Sequence, residues 1–248
     1  MRKLLHKLKL IYIKEEFDPF LLGVITNPFY LPRRQLRRCI KEYSEKVDNS
    51  KSLIDVGCGS KPYKKLFNSK NYVGIDIQNE GHDHSNEDID VFYDGKKFPF
   101  EDRSFEIALC NQVLEHVFNP EEFIGEISRV LKNNGKLILT VPFIWDEHEK
   151  PFDYARYSSY GIKHLLERNG FEVIDQKKTN SHFGIIFIIL NMILFKLFLS
   201  RSFKLNLLTN TLILFPINVL SILFSIFNLK NQDIYIDNVV FAQKKHKQ

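Results

Sequence analysis

The run Leu53-Ile54-Asp55-Val56-Gly57-Cys58-Gly59-Ser60 is the feature that most narrows what this chain can fold into. An apolar stretch of strand length ends in an acid and then in a turn with two glycines. Gly57 and Gly59 permit backbone geometry that other residues adopt poorly, and they let a ligand approach main-chain N–H groups. About twenty residues on, Tyr72-Val73-Gly74-Ile75-Asp76 ends a second strand with another acid, where a carboxylate can accept hydrogen bonds from both ribose hydroxyls of a nucleoside.

The surrounding pattern agrees with such a turn. From Lys51 the chain alternates strand, turn and helix, with strands expected at Ser52–Val56, Tyr72–Ile77, Ile89–Tyr93, Phe105–Cys110, Gly135–Val141, Phe171–Lys177 and Ile234–Gln243. A helix is expected from Pro120 to Leu131, capped by Asn119, opened by Pro120 and stopped by Asn133-Asn134-Gly135. Two more are expected at Arg33–Val47 and Ser158–Asn169. Alternating βα units predict an α/β fold, a mostly parallel sheet covered by helices on both faces.

Two cofactor classes use a glycine turn of this kind. Dinucleotide enzymes need a third glycine that lets the helix pack close to the strand, and here that position is Pro62. Asp55, two residues before the first glycine, instead suits a ligand carrying an ammonium group, as S-adenosylmethionine does. A purely structural turn is the competing reading.

Further motifs follow in order. The run Asp94-Gly95-Lys96-Lys97-Phe98-Pro99-Phe100-Glu101-Asp102-Arg103-Ser104-Phe105-Glu106, then Val113-Leu114-Glu115-His116-Val117, then Arg129-Val130-Leu131-Lys132-Asn133-Asn134-Gly135 together resemble the class I S-adenosylmethionine-dependent methyltransferases, specifically the type 11 group. The resemblance covers Lys51 to Lys177. It implies a Rossmann-like seven-stranded sheet whose last strand is antiparallel, and S-adenosyl-L-methionine as cofactor. It implies that Asp55, Gly57, Cys58 and Gly59 line the methionine end of the cofactor. Asp76, with Ile77 beside it, would take the ribose, and Asp94 with Gly95 the adenine amino group. Asn111 and Gln112 would face the methionine portion or the reaction centre. The family often has a glycine where this chain has Lys61, so the loop shape is expected to differ.

The stretch Pro142 to Tyr157 resembles a loop in methyltransferases of polysaccharide and glycolipid biosynthesis clusters. Its Trp145, Asp153, Arg156 and Tyr157 are candidate acceptor contacts, though Asp153 and Arg156 could simply pair with each other. His148 is the first candidate general base and His116 the second, because imidazole titrates near neutrality. No metal site is expected. Cys39, Cys58 and Cys110 lack CxxC spacing, and His82 and His84 read as a solvated loop pair.

The alternation breaks at Phe183. From there to Leu229 the only charges are Lys196, Arg201 and Lys204, so a hydrophobic helical insert is expected between the last two strands. The expected division is a helical lead at 1–48, a methyltransferase domain at 49–182 and 231–248, and the insert at 183–230. The chain must return to its sheet, so the insert crosses a bilayer twice or not at all. Two crossings would carry the three basic residues across, against the positive-inside bias. A monotopic or peripheral association with the cytoplasmic face of a membrane is therefore expected; a dimer interface or a lid is the competing reading. The net charge of +5, concentrated in Arg2–Lys14, Arg33–Lys41 and Lys244–Lys247, suits an anionic membrane surface at least as well as nucleic acid, and no nucleic-acid partner is expected. Met1–Lys14 does not read as a cleaved signal. The expected activity is O-methylation of a membrane-associated glycan or lipid-linked saccharide. A lipid-like quinone precursor is the alternative acceptor, and a non-catalytic membrane-held scaffold the alternative role.

Overall fold

The computed structural model describes residues 17, 19–20, 23–48, 50–69, 71–78 and 87–246. The Arg2–Lys14 run and the loop carrying His82 and His84 lie outside the described residues.

Seven strands form one sheet: β1 Leu53–Val56, β2 Tyr72–Ile77, β3 Val91–Tyr93, β4 Phe105–Asn111, β5 Leu131–Pro142, β6 Phe171–Lys178 and β7 Asp237–Lys244, in the order β3-β2-β1-β4-β5-β7-β6. β1 pairs in parallel with β2 on one side and β4 on the other. The strand order reverses there, and open α/β sheets bind ligands beyond the strand ends at such a switch point. β5 and β4 are parallel, whereas β7 runs antiparallel to β5 from Lys136↔Gln243 to Pro142↔Asp237. The expected class I sheet is therefore present. All four residues of β1 are buried, as a strand covered on both faces requires.

The helices are α1 Tyr30–Ser44, α2 Pro120–Val130, α3 Ser159–Arg168, α4 Ile185–Phe198 and α5 Phe203–Phe224. α2 presents Phe123, Ile124, Ile127 and Val130 to the core, a stripe at helical spacing. Pro120 opens it as expected, but the Asn119 side chain makes no cap bond and reaches Glu122 at 3.5 Å instead. The helix also stops earlier than expected. β5 begins at Leu131, and Asn133-Asn134-Gly135 lie inside that strand. Asn134 takes a φ of 62° there, which asparagine tolerates better than most residues.

Arg129, near the end of α2, explains two of the sequence motifs together. It bonds Glu126 and Asp102, and it donates to the carbonyls of Phe98 at 2.9 Å and Phe100 at 2.7 Å. Glu126 in turn accepts from the Phe98 N–H at 2.8 Å. One guanidinium thus fixes the loop that seats Phe98 and Phe105 in the core, using the fork geometry that lysine lacks.

The chain divides into two compact units. One holds 39–177 with 237–248, and the other 1–38 with 178–236. The division falls within α1, and the described residues before it group with 178–236. In this helical unit α4 and α5 form a hairpin closed at its base by a bridge between His182 and Asn228. Gly184 lies so close to Ser221 that an added Cβ would come within 2.3 Å of the Ser221 carbonyl oxygen.

Pro216 falls within α5 without breaking it. Asn210–Leu214 forms a π-helical turn just before it, and Phe215–Phe224 continues as α-helix. A π-turn relaxes the clash between a proline ring and the preceding turn. Three asparagines then tie the described residues near 24–28 to this unit. Asn218 donates to the carbonyls of Val24 at 3.1 Å and Asn27 at 2.8 Å, Asn210 to Thr26 at 2.8 Å, and Asn191 to Pro28 at 3.2 Å. These carbonyls belong to a helical turn at Gly23–Thr26 and the bend after it, where backbone donors are few; of the four, the Asn27 carbonyl also accepts from the Tyr30 N–H at 3.2 Å.

Asn218→Leu should therefore destabilise the helical unit by about 1–3 kcal/mol for each buried carbonyl left without a donor. A circular-dichroism melt of the detergent-purified variant should show a lower midpoint; an unchanged midpoint would remove this role from Asn218.

Candidate active site

Five strand ends and the loops after them build the site in the sheet unit. The glycine turn follows β1. Gly57 has φ 67° and Gly59 φ 45°, values that favour glycine. The Gly57 and Cys58 N–H groups both bond the Ile75 carbonyl, at 2.9 and 3.2 Å, which holds the turn against β2. A Cβ on Gly57 would lie 2.3 Å from the Val113 side chain. The turn after β1 and the turn after β4 thus touch directly, and only a residue without a side chain fits between them.

Asp76 ends β2 beside this turn. It accepts from the Gly59 N–H at 2.9 Å and the Ile77 N–H at 2.8 Å. Two backbone bonds orient the carboxylate at the end of β2. Ile77 is 40% exposed, an apolar face of the kind an adenine ring covers. Gly95, with φ 80°, comes so near that an added Cβ would lie 2.7 Å from Ile77 Cδ1. Asp94 is exposed and bonds the Lys96 N–H at 2.9 Å; that bond holds its carboxyl below the usual range. Oriented ribose acceptor, apolar platform and side-chain-free cradle fit a nucleoside with a short amino-acid arm.

The structure gives other members of the expected set internal duties. Asp55 is buried and accepts from the Tyr72 hydroxyl at 2.5 Å. Burial raises its pKa to about 7, against the pull of that hydrogen bond. Cys58 is buried, and desolvation pushes its thiol up, so it contributes shape rather than a thiolate. Asn111 accepts from Thr140 Oγ1 at 2.8 Å. Gln112, at φ 55°, bonds Thr140 through N–H and side chain and reaches Asp237 at 3.3 Å. Its amide braces β4 against β5 and β7 rather than pointing at a ligand.

Lys61 is a structural determinant that the sequence reading passed over. It takes φ 51° where a glycine was the expected alternative. Its ammonium is buried and pairs with Asp90 at 2.7 Å and Asp88 at 3.5 Å. Asp90 also accepts from the Gly74 N–H at 2.6 Å. Gly74 has a reason to be glycine, since a Cβ there would lie 2.2 Å from Lys61 Cε.

The loop after β5 is held by an Asp153–Arg156 pair. Arg156 meets the carboxylate with two nitrogens, at 2.5 and 2.7 Å, and bonds the Asp146 carbonyl at 2.8 Å. Burial pushes the Asp153 carboxyl up, but Arg156 and the His148 N–H outweigh it and hold it near 2. Expected as acceptor contacts, these two spend their polar atoms on the loop itself. Trp145 is half-buried, and its carbonyl faces Arg156 Nε at 3.5 Å. Tyr157 packs on the core, and its carbonyl accepts from Asn238 at 2.7 Å.

The two candidate bases come together. The rings of His116 and His148 meet edge to face, with centroids 4.7 Å apart. Burial lowers the His116 pKa, so its imidazole is neutral near pH 7. Glu115 lies beside them with its side chain fully buried, and desolvation raises it to about 8. No sequence signal joined these three, because the loop after β5 folds back: Tyr154 and Ala155 N–H both bond the Glu115 carbonyl.

Residues 30–176, well over half of the chain, match a family model described as a methyltransferase domain. Protein MJ1123 of Methanocaldococcus jannaschii is 37% identical over 139 residues, covering 51% of this chain and 67% of that protein. The mitochondrial ubiquinone biosynthesis O-methyltransferase of Dictyostelium discoideum is 27% identical, over 46% of this chain and 44% of that protein. Across such curated relatives the match spans between 33% and 67% of their length. Among solved structures, phosphoethanolamine N-methyltransferase 2 of Haemonchus contortus with S-adenosyl-L-methionine superposes with a TM-score of 0.56. The identity is 17%, over 91% of this chain and 56% of that one. At that identity the likeness shows the fold alone.

Gly57→Ala should weaken S-adenosylhomocysteine binding at least tenfold by calorimetry, because the new methyl must displace Val113 and strain a left-handed backbone. Retained affinity would mean that the turn does not hold the ligand. Asp90 supplies a pH signature. Burial raises its pKa, but the Gly74 N–H and Lys61 outweigh this and the net shift is downward. Its stabilising contribution is present at neutral pH and is lost as pH falls through that lowered value. Asp90→Asn should flatten the acid side of a stability–pH profile; an unchanged profile would show that the pair contributes nothing.

Proposed function

The chain belongs to the methyltransferase-domain family of class I, S-adenosylmethionine-dependent fold, and from that premise we propose that it O-methylates an acceptor drawn from a membrane, a lipid-linked saccharide or glycan intermediate. When bound, the cofactor supplies an electrophilic methyl group on a sulfonium. The protein contributes chiefly position. Asp76 orients the ribose, Ile77 and Gly95 receive the adenine face, and the absence of side chains at Gly57 and Gly59 lets the amino-acid arm approach the turn after β1. His148 is the candidate group to take a proton from an acceptor hydroxyl, and His116 is the second.

The observation that carries the membrane part is the surface of the helical unit. Ile186, Ile193, Leu197, Leu208, Leu212 and Leu223 are each more than half exposed along α4 and α5. An apolar surface of that extent needs a partner. α5 has 22 residues and a mean hydropathy of 2.0, with 22% of its apolar window buried. α4 has only 14 residues, about 21 Å at helical rise, short of the ~30 Å hydrocarbon core. Lys196, Arg201 and Lys204 sit around the turn between the helices. A hairpin lying in the near leaflet, with these cations at headgroup level, accommodates all three facts. The buried asparagines support the same reading, because backbone acceptors left unbonded in an apolar medium are costly. Cytoplasmic-face association follows as part of this proposal.

The exposed Glu147, Glu149, Phe152 and Tyr154 of the loop after β5 offer the mixture of acids and rings that suits a hydroxylated acceptor. The self-contained Asp153–Arg156 pair reduces the polar groups available for it. That pairing, with the likeness to a ubiquinone-pathway O-methyltransferase, favours a quinone precursor as the second reading.

Calorimetry with S-adenosylhomocysteine tests the cofactor claim. Micromolar binding is expected, with no response to NAD and a loss of at least tenfold in Asp76→Ala. Binding of NAD alone would overturn the proposal. Flotation with anionic vesicles tests the membrane claim: the full chain should float and a chain lacking 183–229 should not. A full chain that stays soluble without detergent and ignores vesicles would remove the membrane from the account.

A further inference from the structure

Glu115, His116 and His148 each bring one potential ligand atom to within 4.8 Å of the other two. We propose that these three residues bind one divalent transition-metal ion of the zinc, manganese or cobalt class.

Proximity alone would not carry this, and two further features do. The first is Glu115. Its side chain is fully buried, yet neither carboxylate oxygen has a hydrogen-bond partner among the described residues. Buried carboxyls are ordinarily bonded or paired, and an orphaned one points to an unaccounted ligand. The second is the orientation of the histidines. His116 Nδ1 lies 2.8 Å from the Phe152 carbonyl oxygen, and His148 Nδ1 lies 3.1 Å from that of Asp146. A carbonyl can only accept, so each Nδ1 carries the proton and each Nε2 keeps its lone pair. Metal-binding histidines are held in this way, with the other ring nitrogen donating to a carbonyl or carboxylate. Asp153 Oδ2 stands 3.3 Å from His148 Nδ1, and Arg156 holds that carboxylate in place.

The distances leave room for an ion. His116 Nε2 and Glu115 Oε1 are 3.9 Å apart, against ~3.4 Å for neighbouring ligands of a tetrahedral ion with bonds of ~2.1 Å. Small side-chain adjustments close that difference. Two imidazoles and one carboxylate favour first-row transition ions and zinc over calcium, which takes six to eight oxygens. Three protein ligands leave coordination positions open to oxygen donors of an acceptor, and with the ion bound His116 and His148 hold it instead of taking a proton. That last consequence rests on the methyltransferase reading; the metal site does not.

The test is titration of the full-length, detergent-purified protein with Co2+, followed by visible absorption, with Zn2+ competition. One equivalent of Co2+ should bind with a d–d band that Zn2+ displaces. Glu115→Gln and His148→Asn should each weaken it at least tenfold. S-adenosylhomocysteine calorimetry and circular dichroism check that both near-isosteric variants are folded. Folded variants that bind Co2+ as the parent does, or a parent that binds none, would overturn the site and leave the histidines a packed ring pair. Cobalt binding without S-adenosylhomocysteine binding would keep the metal site and reject the methyltransferase reading.

Discussion

The contact between Gly57 and Val113 is the constraint on which the sheet unit's chemistry depends. It brings the turns after β1 and β4 together at the point where the strand order reverses. A parallel sheet leaves a crevice there, and the absent side chain at Gly57 decides how narrow the crevice is. Asp76 is oriented from one side of it by Gly59, and Asn111 and Gln112 are fixed from the other by Thr140. Most of the polar groups around the crevice are bonded to backbone or to neighbouring strands. The site is consequently stiff before a ligand arrives, which suits a reaction that asks for alignment more than for acid–base power.

Much of the sheet was legible because its signals are local. Apolar runs of strand length, a glycine turn and Pro120 at a helix start each announce themselves within a few residues. The ordered motifs were legible for a different reason: Arg129 and the loop from Phe98 to Asp102 are physical partners and must occur together. What the sequence concealed depends on contacts between distant segments. Lys61 looked like a mere absence of glycine, but Asp90 gives it a buried partner. Gln112 looked like a ligand contact, but β7 claims its amide. Asn133–Gly135 looked like a helix stop, but the helix ends at Val130 and they form an irregularity within β5, between its pairings to β4 at Leu131 and Lys136. The approach of His148 to Glu115 and His116 needs the whole loop after β5 and has no signature in spacing.

The helical unit shows a similar limit. Hydropathy marked the insert correctly but not its companion. An asparagine in an apolar run reads as a weak point, whereas Asn191, Asn210 and Asn218 are the groups that recruit the chain near residues 24–28. Pro216 is likewise unfavourable within a helix, and the preceding π-turn absorbs it. In both places a residue unfavourable to a regular helix marks where the helix meets something else.

The Lys61 arrangement has a consequence for how this protein can vary. The lysine stem occupies the space in front of Gly74, and its ammonium needs Asp90. None of the three positions is free to drift alone. Replacing the lysine removes the cation beside Asp90, which would keep only the Gly74 N–H, but gives room at 74; enlarging 74 requires shortening 61. Positions 61, 74 and 90 are therefore coupled, and a change at one alters what the other two can accept.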